Sequence, residues 1–344
     1  MRLNVAYPVL TALLLTLAPA GCRQEPLPDA GDVIRFTVRA AEVSSALTKA
    51  DPTLPSVTPP GNSLEVPNVT VPVWGTYKVG SNAAAEVFKN PPLPLTCSND
   101  GNSLSWDYPS NVRYYWNRSA SYQFRSVFTD NHASYTGDND QITVTYAGYP
   151  DDYDLMVAAS SVASGDTQAA DLLFRHACSA VRFFCVDPSW SSTQTDPNYS
   201  IMRFELKHFP TSGTLVFNGT STTDLSVPVS GWTPGPAVDD VFALPAASLP
   251  WGVPSNTGTA ESAGLTTWFY FVPQSLPAAA EVSFSIRVEN TGQIIDVTRK
   301  LQDITDSWTA GKIYNYFIVI QPTSIQFDVT WTDWTATTPT ELTE

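Results

Sequence analysis

Side chains able to do chemistry are few here: three histidines and four cysteines in 344 residues. His132 stands in a loop-like Asp-Asn-His-Ala stretch, while His176 and His208 stand in apolar stretches, where a histidine satisfied by the core is the ordinary case. Cys97, Cys178 and Cys185 show no CxxC spacing and no nearby histidine pair, so they do not fit a zinc site. Cys178 and Cys185 lie seven apart, and an odd separation on one strand puts them on opposite faces, where they cannot bridge. Buried thiols acting as small hydrophobes are the expected reading. Acidic clusters occur at Asp138/Asp140 and at Asp151-Asp152-Tyr153-Asp154. Convergent oxygens could hold calcium, but neither cluster has the EF-hand spacing, and acidic turn residues account for both. No GxSxG, HExxH, Walker or GxGxxG pattern occurs. Trp106, Trp116, Trp232 and Trp251 could stack on sugars or fill cores and cover turns. No catalytic, metal or cofactor site is expected, and the chain does not read as an enzyme.

Charge removes one class of partner. Eighteen basic against 33 acidic residues give a formal charge of −15. That charge repels phosphate backbones, and there is no Lys/Arg stripe, so nucleic acid is excluded as a main partner. Ten Trp, 14 Tyr and 16 Phe supply ample apolar side chain for a folded core. The length suggests two domains.

The N-terminus carries an address. Arg2 precedes a mostly apolar run to Ala20, and the chain turns polar after Pro19-Ala-Gly-Cys22. This is a secretory signal rather than a fold element. The cysteine directly after Ala-Gly resembles a bacterial lipobox, which implies cleavage before Cys22 and acylation of its thiol and new amine. Several acyl chains give stable anchoring where one would be marginal. An ordinary secretory signal with an incidental cysteine is the alternative.

The elements that must position any site are strands. Val282–Val288, Ile325–Trp331 and Ile142–Tyr146 alternate apolar with polar, the signature of half-buried strands. Ile34–Val38 and Val69–Val73 read as shorter strands, and Ile313–Ile320 as a strand covered on both faces. Turn clusters separate them, at Ser98–Gly101, Thr136–Asp140, Pro210–Gly213 and Asn290–Gly292. Helix is expected only weakly, over Ala40–Lys49, with a turn near Asp303–Ala310. The pattern predicts an all-β protein of β-sandwiches. The small, polar stretch Ala159–Thr167 is the expected seam, giving a signal peptide over 1–21, an N-terminal sandwich over 22–162 and a C-terminal sandwich over 163–344.

Several motifs stand in order: Val71-Pro-Val-Trp-Gly75, Tyr153-Asp-Leu-Met-Val-Ala158, the run Leu173–Phe183 with its Phe-x-His-Ala-x-Ser core, Phe271-Val-Pro-Gln274 and Trp308-Thr-Ala-Gly-Lys-Ile-Tyr-Asn-Tyr316. In this order, behind a lipobox, the chain resembles the fimbrillin family, the subunits of Bacteroidales type V pili and related surface lipoproteins. The resemblance implies two tandem Greek-key (transthyretin-like) β-sandwich domains, export to the outer membrane and cell surface through the Cys22 lipid, and removal of an N-terminal strand by an arginine-specific protease. A strand from another pilus subunit then fills the vacated groove. Carried onto this sequence, the removable strand includes Val33, Ile34, Phe36 and Val38, with Arg35 and Arg39 as candidate cleavage sites. These arginines also suit a charged, solvent-facing edge strand. The chain beyond Trp334 contains Pro339, one Leu and no alternation, so it would make a poor donor. A tip or accessory subunit is therefore expected rather than a stalk subunit, with a host or bacterial surface ligand as a further partner. A lipid-anchored glycan-binding protein or pilus anchor is the alternative.

Overall fold

A computed structural model describes residues 33–40, 68–88, 92–99, 104–129, 133–138, 140–147, 154–189, 197–224, 228–254 and 263–333. Cys22 and His132 lie outside them. The regular structure of the described chain is almost wholly strand, with helix confined to single 3-10 turns at Ala246–Ser248 and Leu301–Asp303.

Period-two sequence dictates the layers. The largest sheet runs in the order β1 (Phe36–Ala40), β10 (Ala170–His176), β9 (Leu155–Val162), β6 (Ala120–Thr129), β2 (Thr70–Val79), β4 (Leu93–Asn99) and β5 (Leu104–Asp107), with β3 (Ala85–Glu86) paired to β2. Alternate residues on each strand face opposite sides. On one side Val71, Val73, Phe124, Met156, Leu172 and Phe174 build a core roofed by Tyr108 and Trp116. On the other side Trp74, Val127 and Val157 meet a second sheet of β14 (Trp232–Pro234), β13 (Gly213–Phe217), β8 (Ile142–Tyr146) and β7 (Ala133–Gly137).

The remaining strands form a sandwich of their own. One sheet holds β17 (Phe269–Phe271), β11 (Ser179–Val186), β22 (Lys312–Gln321) and β23 (Ser324–Asp333). Its partner holds β15 (Ala237–Ala243), β12 (Tyr199–Pro210), β19 (Glu281–Val288) and β20 (Ile294–Lys300), with β16 (Trp251–Gly252) on β12. A short ribbon joins β18 (Gln274–Ser275) to β21 (Ser307–Trp308). Phe183, Phe204, Phe271, Phe284, Trp308 and Tyr316 fill the space between the sheets. β22 sits between β11 and β23 and is buried along nearly its whole length, as its continuous apolar run predicts.

The stretch expected as a seam lies inside one sheet. Ala159–Val162 end β9, and the chain turns through Gly165 (φ +88°) into β10, the antiparallel neighbour of β9. Small polar residues serve a hairpin turn as well as a linker, which is why composition alone marks this place. The chain first leaves this sheet at Ala177-Cys178, between β10 and β11, and β13 and β14 later return to the sheet of β7 and β8. Ala177, Cys178, Ala180 and Ile313 join the same core as Trp74 and Val157, so the two sandwiches share apolar contacts. Of the expected helix over Ala40–Lys49, Ala40 closes strand β1, and residues 41–49 lie outside the described chain. The pattern Ile34-Arg-Phe-Thr-Val-Arg-Ala40 alternates every second residue, and strand pairing carries it through Ala40.

Candidate strand-exchange site

The first strand is an edge strand with an apolar underside. Ile34, Phe36, Val38 and Ala40 are each less than 10% exposed and insert into the core of the large sheet, while Arg35 and Thr37 face solvent. The Phe36 ring meets Phe124 edge-on with centroids 5.1 Å apart. β1 runs parallel to β10, with Phe36 opposite Ala170 and Ala40 opposite Phe174. The Ala170 N–H donates to the Arg35 carbonyl at 2.8 Å.

Outward from β1, among the described residues, no strand continues the ladder; the chain over 108–115 borders β1 instead. Val33 bridges Tyr115, the Ile34 N–H donates to the Tyr114 carbonyl at 2.8 Å, and the Tyr108 hydroxyl donates to the Ile34 carbonyl at 3.0 Å. Burial pushes the Tyr108 hydroxyl above the ordinary tyrosine range, so it remains a donor. A cleft of about 680 Å³ follows residues 33–38 along Trp106, Asp107 and Arg113.

The two candidate arginines differ in setting. Arg35 is exposed. Arg39 is paired with Asp171 on β10: its Nε donates to Oδ1 at 3.1 Å, and Nη2 donates to Oδ2. The hydrogen bond to Asp171 raises the arginine pKa further, so its charge is fixed. A cut after Arg35 would leave Phe36–Ala40 seated. A cut after Arg39 would release Ile34, Phe36 and Val38 together, so only the second position frees the groove. Tyr108 lies 74 positions from Ile34 and Asp171 lies 132 from Arg39, and no local signal marks them as partners of this segment.

The other candidate groups are structural. His176 is buried and Nδ1 contacts an Asp154 carboxylate oxygen, joining the end of β10 to the start of β9. His208, on β12 at φ +64°, lies 3.4 Å from Asp239 and 4.0 Å from Glu281 at the surface. Asp138 accepts the backbone N–H groups of Asp140 and Gln141 at 2.8 and 2.9 Å, closing a turn. Cys97, Cys178 and Cys185 are buried thiols. Burial pushes Cys178 and Cys185 well above the usual thiol range. Among the described residues, no group of three or more His, Cys, Asp or Glu is placed to hold a metal ion. Trp116 is buried, and Trp106, Trp232 and Trp251 pack against cores, with Trp232 Nε1 donating to the Ala177 carbonyl at 2.7 Å. These rings do not gather on one face, and Trp106 also borders the cleft beside β1.

One correspondence ties the two ends of the chain together. β23 is the edge strand of its sheet, and it points Ile325, Phe327, Val329 and Trp331 inward. The inward series Ile-x-Phe-x-Val of β1 recurs there at the same spacing.

Comparison with known proteins gives the chain its family. Among solved structures, a proposed cell adhesion protein from Bacteroides uniformis superposes with a TM-score of 0.47 at 14% identity, covering 90% of this chain and 100% of that one. A fimbrial protein from Bacteroides vulgatus gives 0.45 at 12% identity, covering 77% and 93%. A fimbrial assembly protein from Parabacteroides distasonis gives 0.40 at 12%, covering 78% and 89%. No curated protein matches the sequence. The family model described as fimbrillin-like matches residues 65–334, from before β2 to just past β23. That span is most of the sequence, and the chain belongs to the fimbrillin-like family.

Proposed function

We propose that this chain is a tip or accessory subunit of a cell-surface fimbria, carried to the outer membrane by a lipid on Cys22 and, once residues up to Arg39 are cut away together with that lipid, joined to neighbouring subunits by strand exchange at the place of β1. One observation carries the reading: β1 is an edge strand whose inward side chains are seated in the core of its sheet. Loss of residues up to Arg39 would open an apolar groove beside the unpaired edge of β10. Such an edge is a template for an incoming strand, which gains main-chain hydrogen bonds from β10 and seats alternate side chains in the vacated pockets. Membership of the fimbrillin-like family agrees with other subunits as partners. No reaction is assigned to the chain.

N-terminal mass analysis of the protein from its native membrane tests this. A start at Ala40 supports strand exchange. An acylated Cys22 start on all of the protein would refute it and leave a lipid-held surface protein that never vacates its groove.

A second reading has its own observation. The shared Ile-x-Phe-x-Val series makes β23 a shape mimic of β1, and a β23 donated to the next copy would make the subunit self-polymerising. Electron microscopy after arginine-specific trimming separates the two readings: the tip reading gives monomers, the donor reading fibres.

A further inference from the structure

We propose that the far end of the C-terminal sandwich carries a binding site for a neutral saccharide, a site that does not depend on the strand-exchange reading. A cleft of about 770 Å³ opens where the start of β12, the end of β19 and the β22–β23 turn meet. This falls within the range of roughly 300–1,000 Å³ common to small-ligand sites. A second cleft of about 430 Å³ shares Tyr199, Val288 and Pro322 with it, so the two form one bent groove.

Its chemistry is that of polyol recognition. A sugar presents apolar ring faces and a rim of hydroxyls, and so needs an aromatic or proline surface together with planar groups that both donate and accept. Tyr199, Pro197 and Pro322 supply the surface, while Asn198, Asn290 and the second cleft's Gln293 and Gln321 supply amides. Asn198 is held in advance. Asn198 Nδ2 donates to Asp187 at 2.8 Å, and buried Asp187 is itself fixed by the Ser189 N–H at 2.8 Å. The Glu289 N–H donates to the Asn198 carbonyl at 2.9 Å.

Charge and main chain narrow the ligand. Arg287 Nε lies 3.1 Å from both Glu289 carboxylate oxygens, and Nη2 donates at 2.9 Å, so the two charges in the first cleft cancel. Arg299 lines the second cleft, with its Nη1 donating to the Thr298 carbonyl at 3.3 Å, and against the formal charge of −15 on the whole chain this one cation leaves a neutral ligand favoured over an anionic one. Beside the first cleft, β12 and β19 are each paired on both sides, so their main-chain groups offer no open ladder to an extended peptide.

The test uses the mature full chain on an array of neutral, sialylated and sulfated oligosaccharides, followed by calorimetric titration of the retained compounds. Retention of neutral saccharides is expected, weakened roughly tenfold by Asn290→Ala, which removes one side-chain amide. Because Asn290 is exposed, its variant should fold as the parent does, checked by circular dichroism; Gln293→Ala is a second exposed variant with the same expected direction. Three outcomes would overturn the proposal: no neutral saccharide bound at millimolar concentration, affinity unchanged in both variants, or stronger binding of sialylated or sulfated compounds.

Discussion

Replacing Phe36 with alanine asks whether β1 is a seated strand or a loosely laid one. The ring is 8% exposed and lies against Phe124, within the core that also holds Ile34 and Val38. Truncating a buried phenylalanine costs about 3–5 kcal/mol, part from lost transfer energy and part from the cavity left behind. β1 is an edge element and can shift to fill some of that space, which favours the lower end, about 3 kcal/mol. At about 2–4 °C per kcal/mol for a unit of this size, the melting temperature should fall roughly 6–12 °C. Thr37→Ala is the control: it lies on the same strand but faces solvent, and should change stability by no more than about 0.5 kcal/mol. Calorimetric melting of both variants, with the leader removed, gives the comparison. Equal melting temperatures for Phe36→Ala and Thr37→Ala would mean that β1 is not packed into the core in solution, and the groove argument would collapse with it.

Asp154→Asn or His176→Gln should each destabilise the protein by about 3–5 kcal/mol in urea titrations, because each leaves a buried partner uncompensated; the double variant should recover part of that loss. Cys178 and Cys185 should resist an aqueous thiol reagent in the folded protein at pH 8 and react fully in denaturant. Burial favours the neutral forms of these thiols and of Tyr146 and Tyr316, so their folded pKa values lie above the unfolded ones of 9.0 and 10.0. Stability contributed this way is complete below those values and falls as pH rises past 9 and then 10, so alkaline urea midpoints should decline in that order. Arg39→Ala should cost at most about 1 kcal/mol, since its pair with Asp171 is about 40% and 35% exposed. A melting shift as large as that of Phe36→Ala would overturn the assignment of apolar packing as the main hold on β1.

The strands were legible because one-sided burial writes itself into sequence. Val282–Val288 and Ile142–Tyr146 lie within β19 and coincide with β8, and the unbroken apolar run Ile313–Ile320 lies within the doubly covered β22. Pairing was not legible. Nothing local in Phe36–Ala40 points to Ala170–His176, and a parallel contact over more than 130 residues depends on how the whole sheet assembles. The seam failed for a related reason, since the hairpin between β9 and β10 and a linker ask for the same small polar residues. Asp154 looked like one member of an acidic turn cluster until folding brought it to His176, 22 positions later. The saccharide cleft is assembled from residues between Ser189 and Pro322, so no spacing in the sequence could announce it.

The parallel ladder between β1 and β10 has a mechanical side. When such a strand is pulled along its own axis, its hydrogen bonds and buried side chains are loaded together, in shear. When it is pulled sideways, they break one after another, as in a zipper. A fibre under flow stretches along its length, so a strand lodged here would resist best if that length ran parallel to β10. The five residue pairs from Phe36 to Ala40 would then yield only as a unit. Tension tolerance in this protein would follow from the direction in which the joint is pulled as much as from how tightly it binds at rest.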